Sequence, residues 1–291
     1  MAQLIDGKKI ADEIKQEIAH KVADHQSHGH RAPHIAIILI GDDGASHAYV
    51  NGKIQACKKV GFDYTLMQFA KTISEEKLIK HIEALNSDTD IDGFIVQLPL
   101  PDHISVDNVT ERISPSKDVD GFTNQNFGSI VSHHPLLLPA TPYGVMELLH
   151  RYHIDTKGKH CVVVGASRIA GAPLSLMLME QGLATVTICH IHTVDLPLHT
   201  RQADILISAV GKPGLITAEM VKEGAVVIDV GTTRVEDASK KSGFRIAGDV
   251  EFAEVEALAS YITPVPGGVG PMTIASLLVN TLKTYESNHL A

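Results

Sequence analysis

The chain has no tryptophan, 4% aromatic residues and three cysteines in 291 residues. Cys57, Cys161 and Cys189 form no C-x-x-C pair, which argues against a cysteine-rich metal or redox motif. Cys161 and Cys189 sit inside apolar strand patterns and read as small buried hydrophobes. A reducing, cytoplasmic setting is the expectation that follows. Positive charge is sparse: 25 Lys and Arg stand against 34 Asp and Glu, and the net charge of −9 argues against nucleic acid as the main partner. No apolar run reaches membrane-spanning length, and the opening MAQLIDGKKIADEI lacks a signal-peptide core. Histidines are plentiful, 17 in all, yet pairs such as His28 and His30, His133 and His134, or His190 and His192 make no H-E-x-x-H or Cys/His finger spacing. They read mostly as solvated surface groups, and no metal site is expected.

The stretch Cys161 to Pro173, CVVVGASRIAGAP, is the most informative. Val162 to Val164 has no polar alternation, as in a strand buried on both faces of a parallel sheet. It breaks at Gly165 and restarts as a helix through Ala170, Ala172, Leu174 and Leu178. A strand, a glycine turn and a helix aim free N–H groups and a helix dipole at an anion. Gly165 and Gly171 are present but Ser167 replaces a second glycine, so the stretch reads either as a phosphate-binding turn or as an ordinary βα turn.

The rest of the chain divides into two α/β halves with a boundary near residue 140. Ile10, Ile14, Ile18 and Val22 predict an opening amphipathic helix. Strands are predicted at His34 to Ile40, Tyr64 to Phe69 and Asp92 to Leu98. Between them come a loop over 42–47, a helix from about Ala48 to Val60, and a helix capped by Ser74 with Leu78, Ile82 and Leu85 inward. A polar, proline-spaced segment runs from Asp102 to Pro142, followed by a linker helix from Tyr143 to Tyr152. The second half offers strands at His160 to Val164, Ala184 to Cys189, Ile205 to Ala209, Val226 to Val230 and Tyr261 to Thr263, then a final helix. The βαβ order implies right-handed crossovers and parallel sheets. The fold class is therefore α/β, with two three-layer domains; the second is Rossmann-like, and is a dinucleotide-binding domain on the phosphate-binding reading of the Gly165 turn.

Open parallel sheets bind ligands at the carboxyl ends of their strands. A cleft between two such domains would set a cofactor from one half against a substrate held by the other. In the first half those ends offer Lys53, Gln97 and Asp120. Lys53 follows Tyr49 by one helical turn, on one face; it is either a surface lysine or a proton carrier. Gln97 ends an apolar strand and caps either a backbone group or a catalytic side chain. Asp120, in KDVDGF, either caps a turn or receives two N–H donors from a heterocycle.

Tyr49-x-x-x-Lys53, VQLPLP at Val96 to Pro101, KDVDGF at Lys117 to Phe122, TPYG at Thr141 to Gly144, the Gly165 turn and PVPGGVGPMT at Pro264 to Thr273 occur together. As a set, they closely resemble the bifunctional methylenetetrahydrofolate dehydrogenase/methenyltetrahydrofolate cyclohydrolase family, over essentially the whole chain. The resemblance implies residues 1–140 as a folate-binding catalytic domain, with a C-terminal helix 272–291 packing back on it, and 141–271 as the NAD(P)-binding domain. It implies Lys53 as general acid/base, Gln97 as its hydrogen-bonding partner, Asp120 as the pterin anchor and Tyr49 stacked on the aminobenzoate ring. Gly267, Gly268 and Pro271 would lie against the substrate. Gly165, Ala166, Ser167, Arg168, His190, Ile191 and Thr232 would meet the cofactor. Tetrahydrofolate derivatives, NADP and a homodimer are the implied partners.

Three positions depart from the family pattern. Ala166 stands where relatives often carry arginine, and Ile191 where many carry serine, both near the 2′-phosphate of NADP. Yet no Asp or Glu ends that strand to hold a 2′-hydroxyl, and Arg168 with His190 and His192 can take over a phosphate. NADP is therefore expected, with NAD as the alternative. Gln55 replaces a second basic residue and bears on the balance of the two activities. Beside the bifunctional enzyme stand a dehydrogenase without cyclohydrolase activity and a non-catalytic dinucleotide-binding module. The presence of Lys53, Gln97 and Asp120 together speaks against the last.

Overall fold

The structure is a computed structural model describing residues 1–132, 134–240 and 243–290. His133 and Ala291, named above, lie outside the described residues. Two compact units form: Asp12–Ala140 with Ile274–Ala291, and Met1–Ala11 with Thr141–Thr273.

From the N-terminus come β1 (Gln3–Leu4), α1 (Gly7–Ser27), β2 (His34–Ile40), α2 (Gly44–Val60), β3 (Asp63–Phe69), α3 (Glu75–Ser87), β4 (Gly93–Val96), α4 (Val106–Thr110) and α5 (Asn124–Val131). β2, β3 and β4 make a parallel sheet in the order β3-β2-β4. Ala36, Ile38 and Ile40 face one core with Leu78, Ile82 and Leu85 of α3. Ile35, Ile37 and Leu39 are equally buried on the opposite side, because successive strand residues alternate faces. α2 packs on β2 and β3, and its buried Val50, Ile54 and Val60 lie outside the α3 cluster. The sheet thus has helices on both faces.

Several sequence expectations need correction here. Residues 44–47 are helix, not loop: the Asp43 carboxylate accepts the Ser46 N–H at 2.7 Å and its hydroxyl at 2.9 Å, capping α2 four residues early. The strand expected to reach Leu98 stops at Val96, so Gln97 lies just past it. The polar segment after it holds α4 and α5, capped by the side chains of Ser105 and Thr123.

The second unit holds α6 (Ala140–Arg151), β5 (His160–Val164), α7 (Gly171–Glu180), β6 (Thr185–Cys189), α8 (Leu196–Thr200), β7 (Ile205–Ser208), β8 (Val226–Asp229), β9 (Thr233–Glu236), β10 (Phe244–Ala247), α9 (Phe252–Val255), β11 (Tyr261–Ile262) and the first turn of α10 (Val269–His289), whose remainder from Ile274 belongs to the first unit. Its six-stranded parallel sheet runs β1-β11-β8-β7-β5-β6. Val162, Val164, Leu206, Val227 and Ile262 build one core face, and α7 packs on β5 and β6 with Leu174, Met177 and Leu178 buried. β5 has the bounds expected from the sequence, β6 starts one residue late at Thr185, and β7, β8 and β11 each stop one residue before the expected end, where the chain turns into a loop. The antiparallel ribbon β9–β10 was not expected from the sequence. Nor was β1, which adds Gln3 and Leu4 to the edge of β11 and ties Met1–Ala11 to this unit.

Candidate active site

In the first unit the strand order reverses at β2, with β3 on one side and β4 on the other. Such a switch point opens a crevice at the strands' carboxyl ends. α2 leaves β2 through that end and carries Lys53 on its buried face; Lys53 is 5% exposed. Its Nζ donates to Gln97 Oε1 at 3.1 Å. The Gln97 Nε2 donates in turn to the Leu98 carbonyl at 2.7 Å, which fixes the amide with its oxygen towards Lys53. Gln97 thus bonds a backbone carbonyl and the Lys53 ammonium at once. Tyr49, one turn earlier, is 45% exposed and offers a free ring face.

Asp120 arrives by a different route. Lys117 to Val119 lies beside β4: the Phe94 N–H donates to the Lys117 carbonyl at 2.9 Å, with a parallel bridge from Phe94 to Asp118. A side chain at Gly93 would put its Cβ 2.2 Å from Val119 Cγ1, so only glycine admits this approach. The two aspartates of KDVDGF then separate in role. Asp118 accepts from the Gly121 and Thr123 N–H groups at 3.0 and 2.8 Å and from Asn126 Nδ2 at 3.0 Å, folding the turn. Asp120 accepts no side-chain hydrogen bond from any described residue, though it is only 9% exposed. Its backbone is pinned: its own carbonyl accepts the Ala140 N–H, and the Val119 carbonyl just before it accepts from Asn280 Nδ2, which also donates to the Leu138 carbonyl. Burial raises the Asp120 carboxyl above the usual carboxylate range; the Lys53 charge opposes that and Asp118 adds to it. The result is a fixed, largely buried acceptor that no described residue bonds and that feels the charge of a buried ammonium.

The second unit has its own switch point at β5, flanked by β6 and β7. Gly165 there has φ +110, and its missing Cβ would fall 2.3 Å from the Ala209 carbonyl oxygen. At Gly171 a Cβ would fall 1.8 Å from the Gly165 oxygen, so the start of α7 reaches the strand end only without a side chain. Ala166, Ser167 and Arg168 are exposed in the turn, and no side chain caps the N-terminus of α7. His190 and Ile191 follow β6 at the surface. The His190 Nδ1 accepts the His192 N–H at 3.1 Å, which leaves Nε2 as the protonated nitrogen of the neutral ring. Thr232 is exposed after β8. Gly267, with φ +110, and Gly268, buried against Thr263 and Pro264, belong to this unit, as does Pro271 in the first turn of α10. Among the expected site residues, then, Lys53, Gln97, Asp120 and Tyr49 share one unit, and the others share the second.

A cavity of about 430 Å³ opens at the amino ends of β7, β8 and β11, lined by Lys159, Asp204 and Lys222. That is the end opposite the one where such sheets hold ligands, and we give it no part in the chemistry. Burial pushes the thiols of Cys57 and Cys161 up to about 12, so both are inert at neutral pH.

The chain matches two family models: the tetrahydrofolate dehydrogenase/cyclohydrolase catalytic domain over residues 5–120 and the NAD(P)-binding domain of the same enzymes over 139–289. It belongs to the tetrahydrofolate dehydrogenase/cyclohydrolase family. A bifunctional protein FolD from Cytophaga hutchinsonii is 56% identical over 97% of this chain and 98% of its own length. The FolD methylenetetrahydrofolate dehydrogenase/cyclohydrolase of Campylobacter jejuni, a crystal structure, is 46% identical with a TM-score of 0.93, covering 99% of both chains. The Trypanosoma brucei dehydrogenase-cyclohydrolase, solved with NADP and an inhibitor, is 38% identical with a TM-score of 0.95 over 100% of this chain and 99% of that one. These dehydrogenase/cyclohydrolases share the fold at full length, both α/β units included.

Two features at the ligand-binding ends of the sheets escaped the sequence. One is the division of labour within KDVDGF, where the aspartates look alike. The other is a pair of buried carboxylates, Asp229 and Asp249, at the carboxyl ends of the second sheet. A charged residue ending an apolar strand, as in VVID, was the available signal for Asp229.

Proposed function

We propose that this chain oxidises 5,10-methylenetetrahydrofolate to 5,10-methenyltetrahydrofolate with NADP, then hydrolyses that product to 10-formyltetrahydrofolate. The observation that carries the reading is the buried Lys53 held by Gln97, electrostatically coupled to a buried Asp120 that no described residue satisfies. Asp120 receives the paired N–H donors of the pterin ring, and Tyr49 covers the aminobenzoate ring with its exposed face. Bound NADP supplies the hydride acceptor for the first step. In the second step water adds to the methenyl carbon and loses one proton, leaving a hydroxyl; the hydroxyl then loses its proton to become the formyl oxygen as the bond from that carbon to one ring nitrogen breaks and the nitrogen gains a proton, so one proton is released overall. Lys53 moves those protons, with Gln97 keeping its Nζ in place.

The Gly165 turn and the uncapped N-terminus of α7 suit a pyrophosphate. No carboxylate ends β6 to hold a 2′-hydroxyl; His190 and His192 follow it instead, and Arg168 lies in the Gly165 turn, which supports NADP over NAD. Mixing the protein with methylenetetrahydrofolate and each dinucleotide tests the reading. We expect methenyl- and then formyltetrahydrofolate to form, with higher kcat/KM for NADP. A higher value with NAD overturns the cofactor assignment, and no turnover with either overturns the function.

The chain also acts, in this reading, as a homodimer in the cytoplasm. Edge strand β6 carries exposed Ile188, with exposed Leu183 before it and Val194 after it, an apolar edge that a second copy would cover. Three unpaired, buried cysteines fit a reducing compartment. Light scattering is expected to give twice the chain mass of 31.3 kDa; the monomer mass would remove the dimer.

A further inference from the structure

The loops after β7 and β8 are tied together from beneath by two carboxylates that reach neither surface. Asp249 is 0% exposed and Asp229 is 3% exposed. Asp249 Oδ2 accepts the Ser208 hydroxyl at 2.9 Å and the Val210 N–H at 2.8 Å, and its Oδ1 accepts the Lys212 N–H at 2.8 Å. Asp229 Oδ1 accepts the Gly231 N–H at 2.9 Å and the Asp249 N–H at 3.0 Å, and its Oδ2 accepts the Val250 N–H at 2.9 Å. The knot leaves no space for side chains around it. A Cβ at Gly231 would lie 2.2 Å from Asp249 Oδ1, and one at Gly248 would lie 2.0 Å from Asp229 Oδ2.

The N–H and C=O of a trans peptide point in opposite directions. Drawing the Val210 N–H down to Asp249 therefore turns the Ala209 carbonyl the other way. That carbonyl oxygen lies 2.3 Å from where a Cβ on Gly165 would stand, so the loop after β7 sets the clearance over the glycine turn at the switch point. The knot also fixes Gly231, next to Thr232. Two like charges this deep are costly: burial lifts the Asp229 carboxyl to about 6, against the pull of its three backbone donors, and the charge on Asp249 adds to the rise.

We propose that Asp249, braced by Asp229, is a positioning residue for the dinucleotide: it shapes the loops after β7 and β8 to receive the cofactor and acts on hydride transfer without touching cofactor or substrate. The proposal rests on the assignment of NADP binding to this unit.

Asp249→Asn in the full chain tests it. A carboxamide accepts at one end only, so one loop N–H must face a donor. NADP should bind about tenfold more weakly or worse, since a backbone N–H loses a charged acceptor. The KM for NADP should rise in step. Cyclohydrolase activity, assayed on methenyltetrahydrofolate without dinucleotide, should stay within about twofold, because Lys53, Gln97 and Asp120 belong to the other unit. Ser208→Ala removes a donor to Asp249 but neither loop N–H, and should leave NADP affinity within about twofold. Unchanged NADP affinity in Asp249→Asn, or an equal loss of both activities, overturns the proposal. Should that variant not fold, amide exchange on the wild-type protein without dinucleotide decides: slow exchange at Val210 and Lys212 supports a preformed loop, and exchange at the rate of exposed loop amides refutes it. A wild-type protein that binds neither dinucleotide would instead overturn the cofactor assignment, which keeps the two failures apart.

Discussion

Replacing Lys53 by Met lowers the hydration of 5,10-methenyltetrahydrofolate by about 10³-fold in kcat/KM, within the range for loss of a positioned acid/base. NADP affinity stays within about twofold, because the dinucleotide residues belong to the other unit. The expected rate loss corresponds to about 4 kcal/mol of transition-state stabilisation. Methionine fills nearly the same length as lysine on a buried helix face, so the substitution removes the proton carrier without opening a cavity. It strands Gln97 Oε1, whose donor is Lys53, at a cost of about 1–3 kcal/mol in stability. It also deletes the cation that holds Asp120 down, so the Asp120 carboxyl rises further. The assay follows loss of the methenyl chromophore with no dinucleotide present, alongside thermal denaturation to show that the variant is folded. Full hydration activity in a folded variant removes Lys53 from the chemistry. Hydride transfer is expected to fall less than hydration, since the hydride moves between carbons and needs no proton from the lysine.

The parts of this site that the sequence displays are those whose signals are local. Lys53 sits one turn after Tyr49, and a helical period puts both on one face without further information. β2 and β5 are runs of buried residues that end at glycine, and parallel strands are apolar for a physical reason, burial on both sides. What the sequence concealed depends on partners far along the chain. Asp118 and Asp120 are two residues apart in one motif, yet one folds the turn and the other is left free, a difference set by where the N–H groups of Gly121 and Thr123 come to lie. Asp249 bonds the N–H of Lys212, 37 residues earlier, and backbone donors carry no sequence signature. The early start of α2 is a different kind of miss. Gly44 and Ser46 favour loops by propensity, but the Asp43 cap satisfies the first amides and extends the helix through them. β1 has only two residues and exists because β11 offers an unpaired edge, which no pattern within Gln3–Leu4 reveals.

Replacing Asp120 by Asn raises the KM for the folate by about 100-fold, equivalent to between 2 and 3 kcal/mol from a lost charged acceptor and a donor set against a donor. Asp120 is buried, its backbone is pinned on both sides, and no described residue bonds its carboxylate. The free protein therefore carries a largely buried carboxylate that no described residue bonds and whose carboxyl is raised by burial, and paired N–H donors from a ligand would stabilise its charged form. The pH behaviour follows with two opposite signs. Ligand binding needs the carboxylate, so in the wild type KM rises as pH falls through the raised folded-state value. Stability runs the other way: between the unfolded value and the higher folded value the folded protein holds more protons, so stability falls as pH rises through that window. Asparagine does not titrate, so the variant should lose both dependences together. Steady-state kinetics and thermal denaturation across the acidic range measure them on the same samples. An unchanged KM would mean that the pterin is held elsewhere, whereas a raised KM that kept its pH dependence would assign the titration to a different group near Lys53.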